Sequence, residues 1–267
     1  MKVTLVGCGN MGMIYARAFL KYNLVKPEEL LLVEKNTERL QELEKLNMGR
    51  VVLPEDPIIG ESTLILLAVK PQDFPELASV IKPNLTPGNV ILSIMAGITI
   101  GYIEQQTGHQ AIVRAMPNSP AGLGMGVTAL IAHESVTNEQ LRRAENLLST
   151  TGRTVYVDHE SQLDAVTALS GSGPAYFFYL VKHMIEAGIA MGIDEGVSAM
   201  LVKQTMLGSF HLINQAEKSL DELITAVASK GGTTEAAFQV FEKTNLGENL
   251  QNAILRARDR AKELSKS

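Results

Sequence analysis

The chain has 267 residues, and its 29 acidic and 24 basic side chains give a formal net charge of −5. This length fits one large domain or two of moderate size, and the acidic excess disfavours a nucleic-acid-binding protein, which needs a basic surface. A single cysteine, Cys8, excludes an intrachain disulfide and a cysteine-rich zinc site. No apolar run reaches about 18 residues without a charge, and the first predicted strand starts at Lys2, so we expect neither a transmembrane helix nor a signal peptide. The expected location is therefore cytoplasmic.

A glycine-rich loop follows the first predicted strand. Gly7, Gly9 and Gly12 have the spacing G-x-G-x-x-G, with a short apolar run before them and a helical pattern behind them. In that spacing the first glycine allows a tight turn, the second lets the backbone approach a pyrophosphate, and the third lets the helix pack close to the strand. Glu34 lies about 20 residues further on, where dinucleotide-binding proteins have an acidic residue for the ribose. We interpret the loop as a dinucleotide site; an ordinary strand-to-helix turn is the alternative.

Up to residue 157, predicted strands and helices alternate. The predicted strands are Lys2–Val6, Leu30–Val33, Leu64–Val69, Asn89–Met95, Ala111–Ala115, Gly126–Ala132 and, at an edge, Arg153–Val157. The predicted helices among them include Thr37–Leu46, Phe74–Ile81, Thr99–Thr107 and Thr137–Thr151. Strands that alternate with helices of about 10 residues predict an α/β fold with a doubly wound parallel sheet. We assign residues 1–158 to this domain.

After Asp158 the sequence predicts helices only. They are Ser161–Leu169, Pro174–Met191, Glu195–Ala216, Leu220–Ser229, Thr234–Lys243 and Glu248–Leu264. The second of these is apolar on nearly every side, so it must be buried on nearly every side, and a bundle spanning residues 159–267 offers limited cover. A partner subunit that supplies the rest is our prediction; a central helix in a monomeric bundle is the alternative. Five methionines at apolar positions are expected in the core: Met125, Met184, Met191, Met200 and Met206.

Three loops at the predicted carboxyl edge of the sheet, where ligands of such sheets bind, carry candidate residues. Lys70 follows a buried strand and is placed to reach the phosphates or ribose of a cofactor, although an exposed surface lysine is the alternative. Met95–Gly97 and Arg114–Pro120 hold corresponding positions after later strands. The two prolines of Arg114–Pro120 give a stiff loop that could form one side of a nicotinamide pocket.

Two loops at helix starts are further candidates. Ser170–Tyr176 contains two glycines beside two serines, which suits a ligand, a hinge or both. Ser229–Glu235 contains Gly231 and Gly232 directly before a helix, and a helix start with free amides is suited to a carboxylate. A structural corner between two helices, without any function, is the alternative for this loop.

Neither a catalytic base nor a metal site is evident. The five histidines are isolated, without the spacing of metal ligands: His109, His133, His159, His183 and His211. A dehydrogenase that acts on an alcohol usually needs a base for the hydroxyl proton, whereas an imine substrate can arrive already protonated. The lack of a base therefore favours a reductase of imines.

Five motifs together resemble those of pyrroline-5-carboxylate reductases: G-C-G-N-M-G, A-V-K-P-Q, R-A-M-P-N-S-P, S-G-S-G-P-A-Y and G-G-T-T-E-A. The resemblance extends from Met1 to about Leu264. It implies the last step of proline biosynthesis, the reduction of 1-pyrroline-5-carboxylate to L-proline by hydride from NADPH or NADH. It also implies a Rossmann domain at residues 1–158, a helical dimerisation and substrate-binding domain at residues 159–267, and a homodimer of a kind that commonly assembles further into decamers.

The resemblance also implies the residues of the site. Its cofactor-binding positions are Val6, Gly7, Cys8, Gly9, Asn10, Met11, Gly12, Lys35, Asn36, Ala68, Val69, Lys70, Pro71, Met95, Ala96 and Gly97. Its substrate-binding positions are Ser229, Gly232, Thr233 and Thr234. The substrate carboxylate is expected at the helix start, and the hydroxyl of Thr234, the expected catalytic residue, near the imine nitrogen. The cofactor beside this loop is expected to belong to a neighbouring subunit.

Two positions depart from the usual motifs of the family. Lys230 stands where the family commonly has proline. The lysine keeps a backbone N–H and adds a charge near the expected carboxylate. Glu34 suits the ribose hydroxyl of NADH and repels the 2′-phosphate of NADPH, but Lys35 has the opposite effect, so the cofactor preference is open.

Two other functions remain as hypotheses. A β-hydroxyacid dehydrogenase would need a catalytic lysine, for which Lys182 and Lys203 are the candidates. A nucleotide-binding paralogue without activity is the other hypothesis.

Overall fold

The computed structural model describes residues 1–215 and 217–264 and divides the chain into two compact units. The first unit comprises residues 1–172 together with 257–264, and the second comprises Gly173–Arg256. A short helix over Gln162–Val166 and one π-helical turn over Thr167–Gly171 belong to the first unit. The domain boundary at Asp158 stays a prediction. Ala216 and residues 265–267, which the predicted helices and domains include, lie outside the described residues.

The first unit is built on an eight-stranded sheet. In chain order its strands are β1 Val3–Val6, β2 Leu30–Val33, β3 Arg50–Val52, β4 Leu64–Leu67, β5 Val90–Ser93, β6 Ile112–Met116, β7 Gly126–Ala132 and β8 Gly152–Tyr156. Their order across the sheet is β3-β2-β1-β4-β5-β6-β7-β8, and every pair is parallel except β6 with β7. The first six strands follow the order of doubly wound dinucleotide-binding sheets, so the predicted fold class is confirmed.

Two details of the sheet differ from the prediction. The sequence does not predict β3, because three residues of which only Val52 is buried give no periodic pattern. The pairing of β6 with β7 is antiparallel, with Ala115 opposite Leu130. Only residues 117–125 connect these two strands, and a parallel return needs a crossover of roughly a dozen residues or more. The chain therefore turns back beside β6 instead of crossing the sheet.

Helices cover both faces of the sheet. Those of the first unit are α1 Asn10–Lys21, α2 Thr37–Lys45, α3 Phe74–Ile81, α4 Ile100–Thr107, α5 Asn138–Leu148 and α6 Gln162–Val166. Leu5 belongs to a buried cluster with Tyr15 and Phe19 of α1, whereas Val6 belongs to a second cluster with Phe74 of α3. Successive residues of a strand point to opposite faces, so β1 is buried on both sides. Its continuous apolar run follows from that double burial.

The strand order places a crevice beside β1. The chain runs from β1 to β2 on one side of β1 and then, after β3, to β4 on the other side. In open α/β sheets, ligands bind outside the carboxyl ends of the strands at such a reversal of order. The loops that follow β1, β2 and β4 therefore frame the candidate site.

The second unit is helical and leaves much apolar surface uncovered within the chain. Its helices are α7 Gly173–Ala190, α8 Glu195–Gln215, α9 Leu220–Val227 and α10 Thr233–Lys243, and they are followed by α11 Leu246–Leu264. α7 and α8 pack closely at one point, because a Cβ on Gly188 would lie 2.6 Å from the Oγ of Ser198. Elsewhere Phe178 is 69% exposed. The five methionines expected in the core are 41–74% exposed, so that expectation is wrong for a single chain. No helix among residues 1–215 and 217–264 is long and apolar enough to cross a membrane.

Candidate active site

Two of the three glycines in the first loop are required by packing. Gly7 has φ +95°, and a Cβ on it would lie 2.8 Å from the carbonyl carbon of Ala68 and from the amide nitrogen of Val69. A Cβ on Gly12 would overlap the carbonyl oxygen of Gly7. Any larger residue at either position would push β1, the end of β4 and the start of α1 apart. These two glycines are therefore explained by the fold itself.

Gly9 is different. A Cβ on it would have no heavy atom within 4 Å, and its extended backbone, with φ −76° and ψ −170°, suits other residues equally well. Gly9 is the N-cap of α1, and none of the described side chains caps this helix start, so the first amides of the helix have no partner within it. An open backbone at a helix N-terminus is the arrangement that binds phosphates. A pyrophosphate that approaches Gly9 closely would explain the missing side chain.

A cavity of about 270 Å³ lies beside this loop. Eight of the predicted cofactor-binding residues line it: Val6, Gly7, Cys8, Gly9, Lys35, Ala68, Val69 and Lys70. The other eight do not: Asn10, Met11, Gly12, Asn36, Pro71, Met95, Ala96 and Gly97. The remaining lining residues are Val33, Glu34, Pro54, Glu55, Asp73, Glu76, Leu77 and Val80. The cavity thus occupies the crevice between the ends of β2, β1 and β4.

Sequence reasoning misses one side of this cavity. Asp73, Glu76 and Leu77 lie just beyond the A-V-K-P-Q motif, at and after the start of α3. The A-V-K-P-Q motif could have indicated these residues, because the turn of helix that follows a cofactor-binding loop faces the same crevice. Pro54 and Glu55 follow β3, which the sequence does not predict, and so they carry no signal.

The charged groups at the end of β2 are engaged within the chain. Oε1 of Glu34 accepts hydrogen bonds from the backbone N–H of Lys35 at 2.9 Å and of Asn36 at 3.1 Å. The Asn36 side chain caps the first turn of α2. Nζ of Lys35 lies 3.3 Å from a carboxylate oxygen of Glu76 and 3.9 Å from one of Asp73. The ammonium of Lys35 is therefore shared between two carboxylates of the neighbouring loop and helix.

Cys8 is a packing residue of the glycine loop. It is 1% exposed, and its Sγ lies 3.7 Å from the carbonyl oxygen of Val33. Burial, together with the nearby carboxylate of Glu34, raises the pKa of the thiol to about 12. A thiol with so high a pKa is protonated at neutral pH and is a poor nucleophile.

The predicted loop after β5 lies outside the cavity, in contact with the end of α11. Gly97 has φ +76°, and a Cβ on it would lie 3.3 Å from the Cβ of Leu264 at the end of α11. Nearby, the buried Arg114 of β6 donates to a carboxylate oxygen of Glu160 at 2.8 Å, and the same oxygen accepts from the N–H of Ile100 at 2.8 Å. This partly buried ion pair fixes the start of α4, the helix that follows the loop.

Asn118 connects two of the motifs. Its side chain accepts a hydrogen bond from the N–H of Val127 at 3.0 Å and donates one to the Oγ of Ser170 at 3.2 Å. A Cβ on Gly171 would lie 2.8 Å from the Cε of Met116. The R-A-M-P-N-S-P motif and the start of the S-G-S-G-P-A-Y motif therefore meet within the first unit. Hydrogen bonding accounts for Asn118 and Ser170, and packing accounts for Met116 and Gly171.

The G-G-T-T segment forms the start of α10 in the second unit. Gly232 is the N-cap and the helix begins at Thr233, one residue earlier than predicted. A Cβ on Gly232 would lie 2.6 Å from the Oγ of Ser229, and Gly231 has φ +75° and donates its N–H to Glu235 at 2.6 Å. No side chain among the described residues caps α10, so its first amides are open beside two threonine hydroxyls. The four predicted substrate-binding residues lie in this turn: Ser229, Gly232, Thr233 and Thr234.

Relatives of known activity match the whole chain. Over 266 residues the chain is 34% identical to pyrroline-5-carboxylate reductase 1 of Bacillus subtilis, an alignment that covers 99% of this chain and 89% of the relative. The chain belongs to the pyrroline-5-carboxylate reductase family. It is 38% identical over 208 residues to the family member of Pseudomonas aeruginosa, covering 78% of this chain and 76% of that one. Residues 160–264 match the family model for pyrroline-5-carboxylate reductase dimerisation, and residues 2–97 match the model for NADP oxidoreductase, coenzyme F420-dependent.

Solved structures of the family have the same fold over the same length. The pyrroline carboxylate reductase of Plasmodium falciparum, solved with NADP bound, has a TM-score of 0.88 at 26% identity and covers 99% of this chain and 98% of its own. The reductase of Coxiella burnetii has a TM-score of 0.86 at 32% identity, with 100% and 99% covered. The predicted family and oxidoreductase class are confirmed, and the dimerisation model supports a homo-oligomer. The dehydrogenase hypothesis is not supported, and Lys182, its first candidate, is paired with Glu186 on α7.

Proposed function

We infer that this protein reduces 1-pyrroline-5-carboxylate to L-proline with NADPH or NADH, as the last step of proline biosynthesis. The observation that carries this function is the similarity to a reductase of that name over 99% of the chain. The nicotinamide cofactor supplies the hydride when it is bound. The residues of the chain bind and orient the two reactants, and they do not have to remove a proton from a substrate that arrives as an iminium.

The cofactor is assigned to the crevice at the ends of β1, β2 and β4. The open backbone at Gly9 and the uncapped start of α1 fit a pyrophosphate. Lys35 and Asn36, at the end of β2, are assigned to the adenosine ribose, and Lys70 follows β4 on the opposite side of β1. The Met95–Gly97 loop after β5, outside the cavity, is assigned to the rest of the cofactor.

The substrate is assigned to the start of α10. Its carboxylate would accept hydrogen bonds from the open amides of Thr233 and Thr234, where the helix dipole favours a negative charge. The hydroxyl of Thr234 would then lie near the imine nitrogen and orient the ring, and Ser229 would line the pocket. The carboxylate of Glu235 accepts from the N–H of Gly231, and no described side chain caps the first amides of α10.

The helical unit is assigned to the contact between subunits. The exposed apolar side chains of α7 and α8, such as Phe178 and Met200, need cover that the single chain does not give them. A homodimer would bury them, and it would bring the substrate turn of one subunit to the cofactor of its neighbour. Assembly of dimers into a decamer and a cytoplasmic location stay predictions.

Turnover and a pair of variants test the function. Purified full-length chain should oxidise NADPH or NADH when 1-pyrroline-5-carboxylate is added, and no turnover with either cofactor would refute the assignment. In Thr234→Ala, loss of one hydrogen bond to a charged substrate should lower kcat/KM for the imine by about 10- to 100-fold, while the affinity for NAD(P)H stays unchanged. Thr234→Ser keeps the hydroxyl and should retain most of the activity. A weaker affinity for the cofactor in Thr234→Ala would show that this turn is placed wrongly.

A further inference from the structure

We propose that Glu34 makes NADH the preferred cofactor of this chain. The proposal rests on the assignment of the cofactor to the crevice beside Gly9, and it concerns the part of that crevice where β2 ends. A dinucleotide whose pyrophosphate lies at the start of α1 places its adenosine ribose near the end of the second strand. NADPH carries a phosphate on the 2′ position of that ribose, and NADH carries a hydroxyl.

Glu34 already occupies backbone donors at this place. It lines the cavity, and its Oε1 accepts from the N–H groups of both Lys35 and Asn36. A 2′-phosphate would need donors of this kind, and it would meet a carboxylate held among them. A ribose hydroxyl can instead donate to that carboxylate, whose Oε2 has further acceptor positions. The geometry therefore favours a hydroxyl over a phosphate.

Two cations at the end of β2 and the start of α2, Lys35 and Arg39, each lie beside acidic partners. Nζ of Lys35 lies 3.3 Å from Glu76 and 3.9 Å from Asp73. The guanidinium of Arg39, on the first turn of α2, pairs with Glu42 at 2.6 Å and donates to a backbone carbonyl of the glycine loop at 3.3 Å. A phosphate at the end of β2 would have to compete with these carboxylates for both cations.

The cavity as a whole is acidic. Four carboxylates line it against two ammonium groups: Glu34, Glu55, Asp73 and Glu76 against Lys35 and Lys70. A phosphate monoester adds roughly 1.5 to 2 negative charges at neutral pH. Repulsion by a single like charge a few ångströms away, near a protein surface, corresponds to a factor of about ten or more in affinity. The carboxylates at this end of the site therefore lower the affinity for NADPH and not that for NADH.

Equilibrium titration of the purified full-length chain with NADH and with NADPH, followed by nicotinamide fluorescence, tests the preference without turnover. We expect the Kd for NADH to be lower by about tenfold or more. Glu34→Gln keeps an acceptor oxygen and removes the charge, so it should tighten NADPH binding by about tenfold and change NADH binding by less than about threefold. Glu38→Gln removes an exposed charge of α2 outside the cavity lining and is the matched control, for which we expect changes below about twofold.

Two results would overturn the proposal while leaving the proposed function intact. One is equal or tighter binding of NADPH by the parent chain, and the other is an unchanged affinity for NADPH in Glu34→Gln. Failure of both nucleotides to bind would contradict the assignment of the crevice and, with it, the proposed function.

Discussion

Gly9→Ala separates what the cofactor requires from what the fold requires. The added methyl group meets no heavy atom within 4 Å, and the extended backbone accepts alanine. The expected loss of stability comes from the N-cap alone, because alanine is a poorer cap than glycine by about 0.5–1 kcal/mol. For a chain of this size, that corresponds to a fall in Tm of at most about 4 °C.

The same methyl group should weaken cofactor binding much more. It would occupy the space in which we propose that a pyrophosphate approaches the backbone, and at least one hydrogen bond to a charged group would be lost, worth about 1.5–3 kcal/mol. The Kd for NADH should therefore rise by about 10- to 150-fold. Titration of reduced nicotinamide fluorescence measures this change, and thermal unfolding followed by circular dichroism measures the stability of the same samples.

Gly12→Ala is the matched control, because the chemical change is identical and the surroundings are opposite. Its methyl group would overlap the carbonyl oxygen of Gly7 and lie 3.2 Å from the Cδ1 of Leu5. Overpacking of this kind costs about 1–3 kcal/mol or more, so Gly12→Ala should unfold at a clearly lower temperature than Gly9→Ala. The reasoning is refuted if Gly9→Ala binds NADH within about twofold of the parent chain, or if the two variants lose stability equally.

Two further predictions concern Cys8 and α7. Because burial raises the pKa of Cys8 from 9.0 to about 12, the thiolate fraction at neutral pH is about a thousandfold lower than for an unperturbed thiol. Iodoacetamide should therefore modify the folded chain slowly, at a rate that rises about tenfold per pH unit and shows no plateau below pH 11 or so; fast modification at pH 7 would contradict the burial. Phe178→Asp would place an unpaired charge in the proposed contact between subunits, twice in a symmetric dimer, and should weaken association by about 100-fold or more. Light scattering on a size-exclusion column measures the assembly, Lys45→Asp on the exposed face of α2 is the control, and an unchanged assembly would show that α7 is not at the contact.

The strands of the sheet could be read from the sequence when they are buried on both faces. β4 is predicted as Leu64–Val69 and observed as Leu64–Leu67, and all four of its residues are buried. A strand with no polar face has to be apolar at every position, so the run itself is the signal. β3 lies at the edge of the sheet with Arg50 exposed, so no such run exists there. The direction of β7 depends on the length of the connection from β6, which a reading of the runs alone does not use.

The helices of the second unit show a different limit. An apolar position indicates that a side chain needs cover, but the pattern does not indicate which chain provides the cover. Met184 and Met200 are 52% and 61% exposed in the single chain although their pattern predicts a core. The turn before α10 was easier to predict, because the paired glycines Gly231 and Gly232 mark a helix start wherever the unit is packed, and Gly232 is the N-cap of α10.

The cofactor preference could not be derived from Glu34 and Lys35 as neighbours in the sequence, since their charges are equal and opposite. The structure distinguishes them by their partners. Glu34 accepts from the amides of the next two residues, which are present whatever the rest of the chain does. Lys35 is engaged by Glu76, which is 41 residues further along and reaches it only because the sheet order sets β2 and β4 on either side of β1. The fold therefore sets carboxylates beside the ammonium of Lys35, whereas Glu34 is held by neutral amide groups. We therefore expect a substituent of the ribose to meet a negative potential there.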